Sequence, residues 1–275
     1  MTAQRVRIIG AGKAGGSFAL ALDQAGWSVD LVSHEQFVDP ASALDARKAS
    51  SDHVDLLLIC VPDPVVAQVA SVIVADESVV VAHCAGSLGL EVLAPATRVA
   101  SVHPLVALAD SERGAKALQG AWFAVSGDPF ATTIVTALAG RAVQVAEADR
   151  VRYHAAAVLA SNHLVALLAQ VDSIASDIGL PLEAFLDLSR VTLDNLSELG
   201  PAAALTGPVS RGDWSTVMRH LQELDAQERQ PYLSLALRAA ALVDSMPSSA
   251  ELEQLQQACE KHVRVPTPPG EGPGL

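Results

Sequence analysis

Between Val6 and Ala146, short apolar runs rich in β-branched residues alternate with stretches of helical periodicity. The runs are Arg5–Ile9, Ser28–Ser33, Asp55–Val61, Ser78–Ala82, Arg98–Val102, Trp122–Ser126 and Ala142–Ala146. Most are apolar throughout rather than alternating, as strands covered on both faces are. Helical patterns fall on Gly15–Ala25, Pro64–Ala75 and Pro129–Ala139. This alternation predicts βαβ units and an α/β fold with a doubly wound parallel sheet. After Ala146 no strand pattern appears, and Ala, Leu and Gln dominate. Asp149 is placed to cap a helix running towards Gly179, and further helices are predicted at Leu182–Leu199, Trp214–Leu224, Ala226–Asp244 and Ser248–His262. The expected organisation is a sheet domain over residues 1–147 and an all-α domain over 148–265. The Pro/Gly-rich stretch 266–275 reads as a disordered tail.

Composition narrows the function classes. With 275 residues the chain has material for one large domain or two modest ones. Its net charge of −13 argues against a nucleic-acid or anionic-membrane partner. Cys60, Cys84 and Cys259 are widely spaced, which excludes a disulfide scaffold or a zinc ribbon, and no metal is expected. The uncharged stretch His154–Val171 contains His, Ser, Asn and Gln, so it reads as a buried helix rather than a span of about 20 apolar residues. The opening MTAQRVRIIGAG leads straight into a strand and a glycine loop, so neither a signal nor a transit peptide is expected, and the predicted location is cytoplasmic.

That loop is the first chemical signal. Gly10-Ala11-Gly12-Lys13-Ala14-Gly15 follows the first strand and opens a helix inside a βαβ unit. Gly10 suits a tight turn, Gly12 lets backbone N–H groups approach a pyrophosphate, and Gly15 allows helix and strand to pack closely. The second strand ends in Ser33-His34 with no acid at its tip, a pair that tolerates a 2′-phosphate, with Arg47 or Lys48 near in sequence. NADP is therefore expected, NAD being the alternative if Asp30 reaches the ribose. The third strand runs into Val61-Pro62-Asp63. Val61 and Pro62 should border the nicotinamide side, and Asp63 reads as the cap of the next helix.

Further polar residues fall at strand ends and on the long helix. His83 reads as bonded to local backbone, whereas His103, held extended by Pro104, is a candidate catalytic imidazole. On the helix, Tyr153-His154 and Ser161-Asn162-His163 interrupt an apolar sequence. At 100° per residue Asn162 falls about 80° from His154 and His163 about 180° from it. This selects His154 and Asn162 as the catalytic pair and leaves His163 to a core or subunit contact. In the loop 203–214, Thr206, Arg211 and Asp213 are candidate substrate-binding groups, Asp213 being alternatively a helix cap. Lysine occurs only at positions 13, 48, 116 and 261, so no lysine lies in the body of the helical domain to donate a proton. A histidine is the natural substitute.

Together, Gly10-x-Gly12-x-x-Gly15, Val61-Pro62-Asp63, Ser101-Val102-His103-Pro104, Tyr153-His154-Ala-Ala-Ala-Val and Leu205-Thr206-Gly207-Pro208-Val209-x-Arg211-Gly212-Asp213 resemble a bacterial family that joins a Rossmann-like domain to a domain of unknown function 2520. The resemblance covers residues 5 to about 245. It implies a 6-phosphogluconate dehydrogenase-like architecture, an NAD(P)-dependent oxidoreductase and a homodimer through the helical domain. Members are linked to pantothenate biosynthesis, which implies an alternative ketopantoate reductase. The glycine loop is similar to that of pyrroline-5-carboxylate reductases, and His103-Pro104 to that of prephenate dehydrogenases. The helical-domain lysine of the β-hydroxyacid dehydrogenases is missing here.

The expected activity is hydride transfer between NADPH and a small anionic 2-oxo acid in a cleft between the two domains. His154, or in second place His103, would donate the proton. Asn162 would polarise the carbonyl, and Arg211 with Thr206 would hold the carboxylate, with Arg190 adding positive charge. Two alternatives remain: a non-catalytic NADP sensor or scaffold, and a prephenate-like oxidative decarboxylating dehydrogenase.

Overall fold

The computed structural model describes residues 4–33, 54–74 and 76–260. His34, Arg47, Lys48 and the stretch 266–275 lie outside them. The chain divides into two compact units, Met1–His163 and Leu164–Leu275.

The first unit is built on a seven-stranded sheet: β1 Arg5–Ile9, β2 Ser28–Val32, β3 Leu56–Ile59, β4 Val80–His83, β5 Val99–Pro104, β6 Trp122–Gly127 and β7 Arg141–Gln144. Their order is β2-β1-β3-β4-β5-β6-β7. All seven strands fall where the apolar runs predict them. Their direction does not: β5 and β6 pair antiparallel, so β6 and β7 oppose the other five. The sheet is therefore mostly parallel. A strand buried on both faces carries no mark of its direction in sequence, so an apolar run reads alike either way.

Helices cover both faces. One face packs Ile8, Leu58 and Val102 against Phe18 and Leu22 of α1 (Lys13–Gln24), Leu118 of α3 (Ser111–Leu118) and Ile134 of α4 (Ala131–Ala137). The other packs Ile9, Leu57, Ile59 and Val81 against Val66 and Val69 of α2 (Asp63–Val72). Adjacent residues of one strand thus serve opposite layers. The chain runs from β1 outward to β2 and then back to β3 on its other side. This places a topological switch point at the carboxyl ends of β1 and β3. Helix α3 is absent from the sequence reading. It is short, and only Gly114, Ala115 and Leu118 of it are buried.

Past the sheet, a 3-10 turn at Glu147–Asp149 leads into α5 (Arg150–Val158), a π-helical turn at Leu159–His163 and α6 (Leu164–Asp177). The sequence break after residue 147 marks the end of the sheet, whereas α5 and the π turn fall within the first unit. Asp149 precedes α5 without a side-chain cap. The helical run Glu147–Asp177 is long and apolar enough, by length and composition, to cross a membrane, and none of its most apolar window is buried. The expectation of a buried helix therefore fails.

The second unit also contains α7 (Leu182–Leu199), α8 (Pro201–Ala204), α9 (Trp214–Glu223), α10 (Ala226–Ala240) and α11 (Ser249–Glu260). Its core joins Trp214, Val217 and Leu221 of α9 to Leu233 and Ala240 of α10 and Leu255 of α11.

Candidate active site

The glycine loop forms at the switch point. Gly10 has φ +114°, and a Cβ there would lie 2.8 Å from the Cys60 carbonyl carbon and 3.0 Å from Val61 Cγ1. Its N–H donates to the Val32 carbonyl at 2.8 Å, tying the loop to the end of β2 and hence to the half-buried Ser33. Gly15 is buried, and a Cβ on it would run into the Gly10 carbonyl and stand 3.3 Å from Cys60 Cβ. Gly12 behaves differently. It is exposed, its φ is −77°, and a Cβ there would meet nothing within 4 Å. The start of α1 therefore faces open space, with no acidic residue in its first turn and with Ala11 and Lys13 exposed beside it. Amides at a helix start with room above them fit a pyrophosphate. Ala14 packs below against the core.

Asp30 stands opposite Arg7 in the β1–β2 register and pairs with it at 2.6 Å, so its carboxylate is held inside the strands. This disfavours a ribose role for Asp30.

The sheet edge continues unbroken from the loop. Val61 touches Gly10, exposed Pro62 follows, and Asp63 begins α2. Asp63 is not the cap, because Pro62 holds that place. Its carboxylate instead accepts from Ser87 Oγ at 2.8 Å, joining the segments that follow β3 and β4. Next to Ser87 is buried Gly86. A Cβ on Gly86 would run into His154 Nδ1 and come within 2.8 Å of His103 Nε2. Two imidazoles separated by about a third of the unit's sequence thus converge over one glycine.

His103 lies within β5, which extends past the predicted Val102, and α5 brings Tyr153 and His154 to it. A 2.6 Å hydrogen bond joins His103 Nδ1 and the Tyr153 hydroxyl. The His103 ring meets Tyr153 edge-on at 5.6 Å and His154 at 5.7 Å between centroids. His154 Nδ1 is buried and has no hydrogen-bond partner among the described residues. Burial first, then His154 and the nearby Arg150 charge, pull the His103 pKa down to about 4, so the ring is neutral at neutral pH. Burial pushes the Tyr153 phenol up to about 12. A near-neutral pKa for His103, as a general acid would need, is therefore not what the site provides.

His83 is a structural histidine. The Ala85 N–H donates to its Nδ1 at 3.2 Å, which leaves Nε2–H to donate to the Gly89 carbonyl at 3.3 Å. Both ring nitrogens are engaged, and burial brings its pKa to about 4. Ser161, Asn162 and His163 sit on the π turn, where wider winding replaces the assumed 100° per residue, so angles counted across this turn do not hold. Ser161 is half-buried there, and Asn162 and His163 are exposed.

In the second unit Thr206 and Arg211 are exposed. Asp213 caps α9: its carboxylate accepts from Thr216 Oγ1 and Ser215 Oγ, each at 2.7 Å, and from the Thr216 N–H at 3.1 Å. The Thr216 and Ser215 hydroxyls hold its pKa at about 2. Capping, not substrate binding, accounts for Asp213. Arg190 is exposed and pairs with Asp187.

Sequence reasoning gives no role to Tyr153, Arg150 or Gly86. Only the adjacency of Tyr153 to His154 was visible. Comparison with known proteins identifies two domains. A Rossmann-like family model matches residues 2–108, and a model described as domain of unknown function (DUF2520) matches residues 122–239. The chain joins a Rossmann-like domain to a DUF2520 domain. No curated protein matches its sequence. Among solved structures, this Rossmann-like/DUF2520 chain is similar to a candidate NADP oxidoreductase from Bacteroides fragilis, with 23% identity and a TM-score of 0.71 over 87% of this chain and 98% of that one. A protein from Thermotoga maritima gives 23% identity and a TM-score of 0.59 over 93% and 98%. A 1-pyrroline-5-carboxylate reductase from Streptococcus pyogenes gives 15% identity and 0.57 over 94% and 99%. At these identities the likeness is one of fold.

Proposed function

We propose that this protein is an NADP(H)-dependent oxidoreductase acting on a small anionic 2-oxo acid, ketopantoate being the first substrate to try. The observation that carries the reading is the continuous sheet edge leading from the open helix start at Gly12, through Val61, Asp63 and Ser87, to the paired imidazoles over Gly86. Structural neighbours, among them a reductive aminase from Aspergillus terreus in complex with NADPH and ethyl levulinate, support a redox role.

NADP(H) would supply or accept the hydride when bound, its phosphates held by the backbone at Ala11, Gly12, Lys13 and Ala14 and its ribose side bordered by Ser33. The protein's residues orient the reaction and move the proton. His154 Nδ1 is a buried imidazole nitrogen with no partner among the described residues, and His154 is proposed to exchange the proton with the substrate oxygen. His103 stands beside it, its Nδ1 tied to Tyr153 and its neutral ring adding no second positive charge. Asn162 is proposed to polarise the carbonyl, and Thr206 with Arg211 to bind the carboxylate. A second copy of the chain is proposed to cover the helical domain, where Leu188, Val191 and Leu199 of α7 are 62%, 56% and 58% exposed. These three lie on one face of the helix. We place the enzyme in the cytoplasm.

The test is oxidation of NADPH and of NADH against a panel of 2-oxo acids that includes ketopantoate. Turnover with NADPH, and a sharp loss of kcat in His154→Gln at unchanged NADPH affinity, is the expected result. Tight NADPH binding without turnover on any member, and no effect of His154→Gln, would instead favour the sensor reading.

A further inference from the structure

Arg150 is the largest side chain among the described residues to be fully buried, at 1% exposure. It opens α5, and its guanidinium reaches β5, β6 and the segment that follows β4. It donates to Ser101 Oγ on β5, to Ser126 Oγ on β6 at 3.0 Å, and to the Ala85 carbonyl beyond β4 at 3.2 Å. Its Nε has no partner among the described residues, and a Glu147 carboxylate oxygen stands at 3.8 Å. A cation buried mainly among neutral oxygens recovers little of its lost hydration, and an apolar side chain of similar size often packs with no loss of stability. Stability alone therefore gives no reason for an arginine here. Its place in the helix does. Arg150, Tyr153 and His154 fall at i, i+3 and i+4, on one face.

We propose that Arg150 is a positioning residue, which ties the first turn of α5 to β4, β5 and β6 and so fixes where Tyr153 and His154 meet His103. Its charge acts on the same rings. The groups facing His103 are Tyr153, His154 and Arg150 from α5, His83 from β4 and Asp63 from the start of α2. Arg150 adds to burial in keeping both His83 and His103 neutral, and Asp63 opposes it. The guanidinium thus serves geometry and charge together: without the tie the Tyr153–His103 bond loosens, and without the charge His103 protonates more readily. This deepens the proposed function only in its kinetic consequence, since the arrangement of the rings can be measured in the resting protein.

The experiment is NMR of the full chain labelled with 15N in its imidazoles. The hydrogen-bonded Tyr153 hydroxyl proton is followed beside the titration of His103. Arg150→Lys keeps a charge but replaces a planar fork with a single nitrogen, which cannot span acceptors reached by two separate guanidinium nitrogens. Arg150→Gln removes the charge. The hydroxyl resonance should be lost from both variants. The His103 midpoint should rise by about 1 unit in Arg150→Gln and stay near its native value in Arg150→Lys. Folded variants that keep both the resonance and the native midpoint would overturn the proposal. Should Arg150→Gln fail to fold, the double variant Ser101→Ala/Ser126→Ala keeps the guanidinium and removes two of its acceptors. Loss of the hydroxyl resonance there supports the tie, and an unchanged resonance refutes it. With NADPH and a turned-over substrate, Arg150→Lys should lower kcat about tenfold or more at constant KM for NADPH. Shifted resonances in a protein that turns over nothing would leave the positioning role standing and remove the enzymatic reading instead.

Discussion

Gly12 and Gly15 lie three residues apart and answer to different constraints. A side chain at Gly15 collides with the Gly10 carbonyl, so Gly15→Ala should cost about 1–3 kcal/mol in chemical denaturation. At Gly12 the backbone is ordinary and the space above it empty, so Gly12→Ala should leave stability unchanged or slightly raised. It should nevertheless weaken NADPH binding by at least tenfold in a fluorescence titration, because the new methyl occupies the pyrophosphate's approach. Equal losses of stability in the two variants would refute this division of roles. Gly86 belongs to a third kind. Its backbone is ordinary, but a methyl there would displace both imidazoles, so Gly86→Ala should perturb the His103 and His154 resonances and lower turnover while leaving NADPH affinity intact. The two loop glycines were legible because local spacing encodes their constraint. Gly86 was not, since the side chains that crowd it arrive from β5 and α5.

Helices and strands show the same split between local and distant causes. Asp213 precedes a helical pattern, and its capping of α9 was available from sequence as the alternative to substrate binding. Asp213→Asn should preserve the thermal midpoint and Asp213→Ala lower it by a few degrees, both with unchanged substrate KM. A raised KM in Asp213→Asn would restore the binding role. The π turn at Leu159–His163 is harder to foresee, because the hydrophobic pattern continues through it while the winding changes. The 100° spacing that relates Asn162 and His163 to His154 therefore does not carry across it. Tyr153 shows what the element adds. Anchored one turn before, α5 delivers its hydroxyl to His103 Nδ1 at 2.6 Å. Tyr153→Phe should lower stability by about 1 kcal/mol and broaden the His103 ring signals by freeing its tautomers, as thermal unfolding and 15N spectra would record.

Two neutral histidines, buried His83 and half-buried His103, give the whole molecule an acid weakness. His83 and His103 have folded-state pKa values of about 4, below the ordinary 6.5. Between those limits the unfolded chain binds more protons than the folded one, so stability falls as pH drops from 6.5 towards 4 and this contribution levels off below. The slope should be about 1.4 kcal/mol per pH unit for each group that titrates. Urea unfolding across that window would measure it, and His83→Asn, whose amide oxygen can still accept from Ala85, should remove about half. An undiminished slope would show that His83 is not a source. The exposed α7 face gives a second expectation at this scale. The chain should sediment at twice its mass, and Leu188→Asp with Val191→Asp should release monomers. A monomeric native protein would exclude the helical-domain dimer.

The sequence by itself determined the seven strands, the glycine loop with its three distinct glycines, most of the helices and the backbone-bound character of His83. Each of these rests on periodicity, burial or turn chemistry that acts over a few residues. Tertiary structure alone decided that β6 and β7 run against the rest, that Asp30 pairs with Arg7, and that Arg150, Tyr153 and His154 meet His103 over Gly86. Those outcomes depend on which strand ends lie side by side at one sheet edge. Such neighbours are fixed by the packing of the whole unit and leave no periodic trace along the chain.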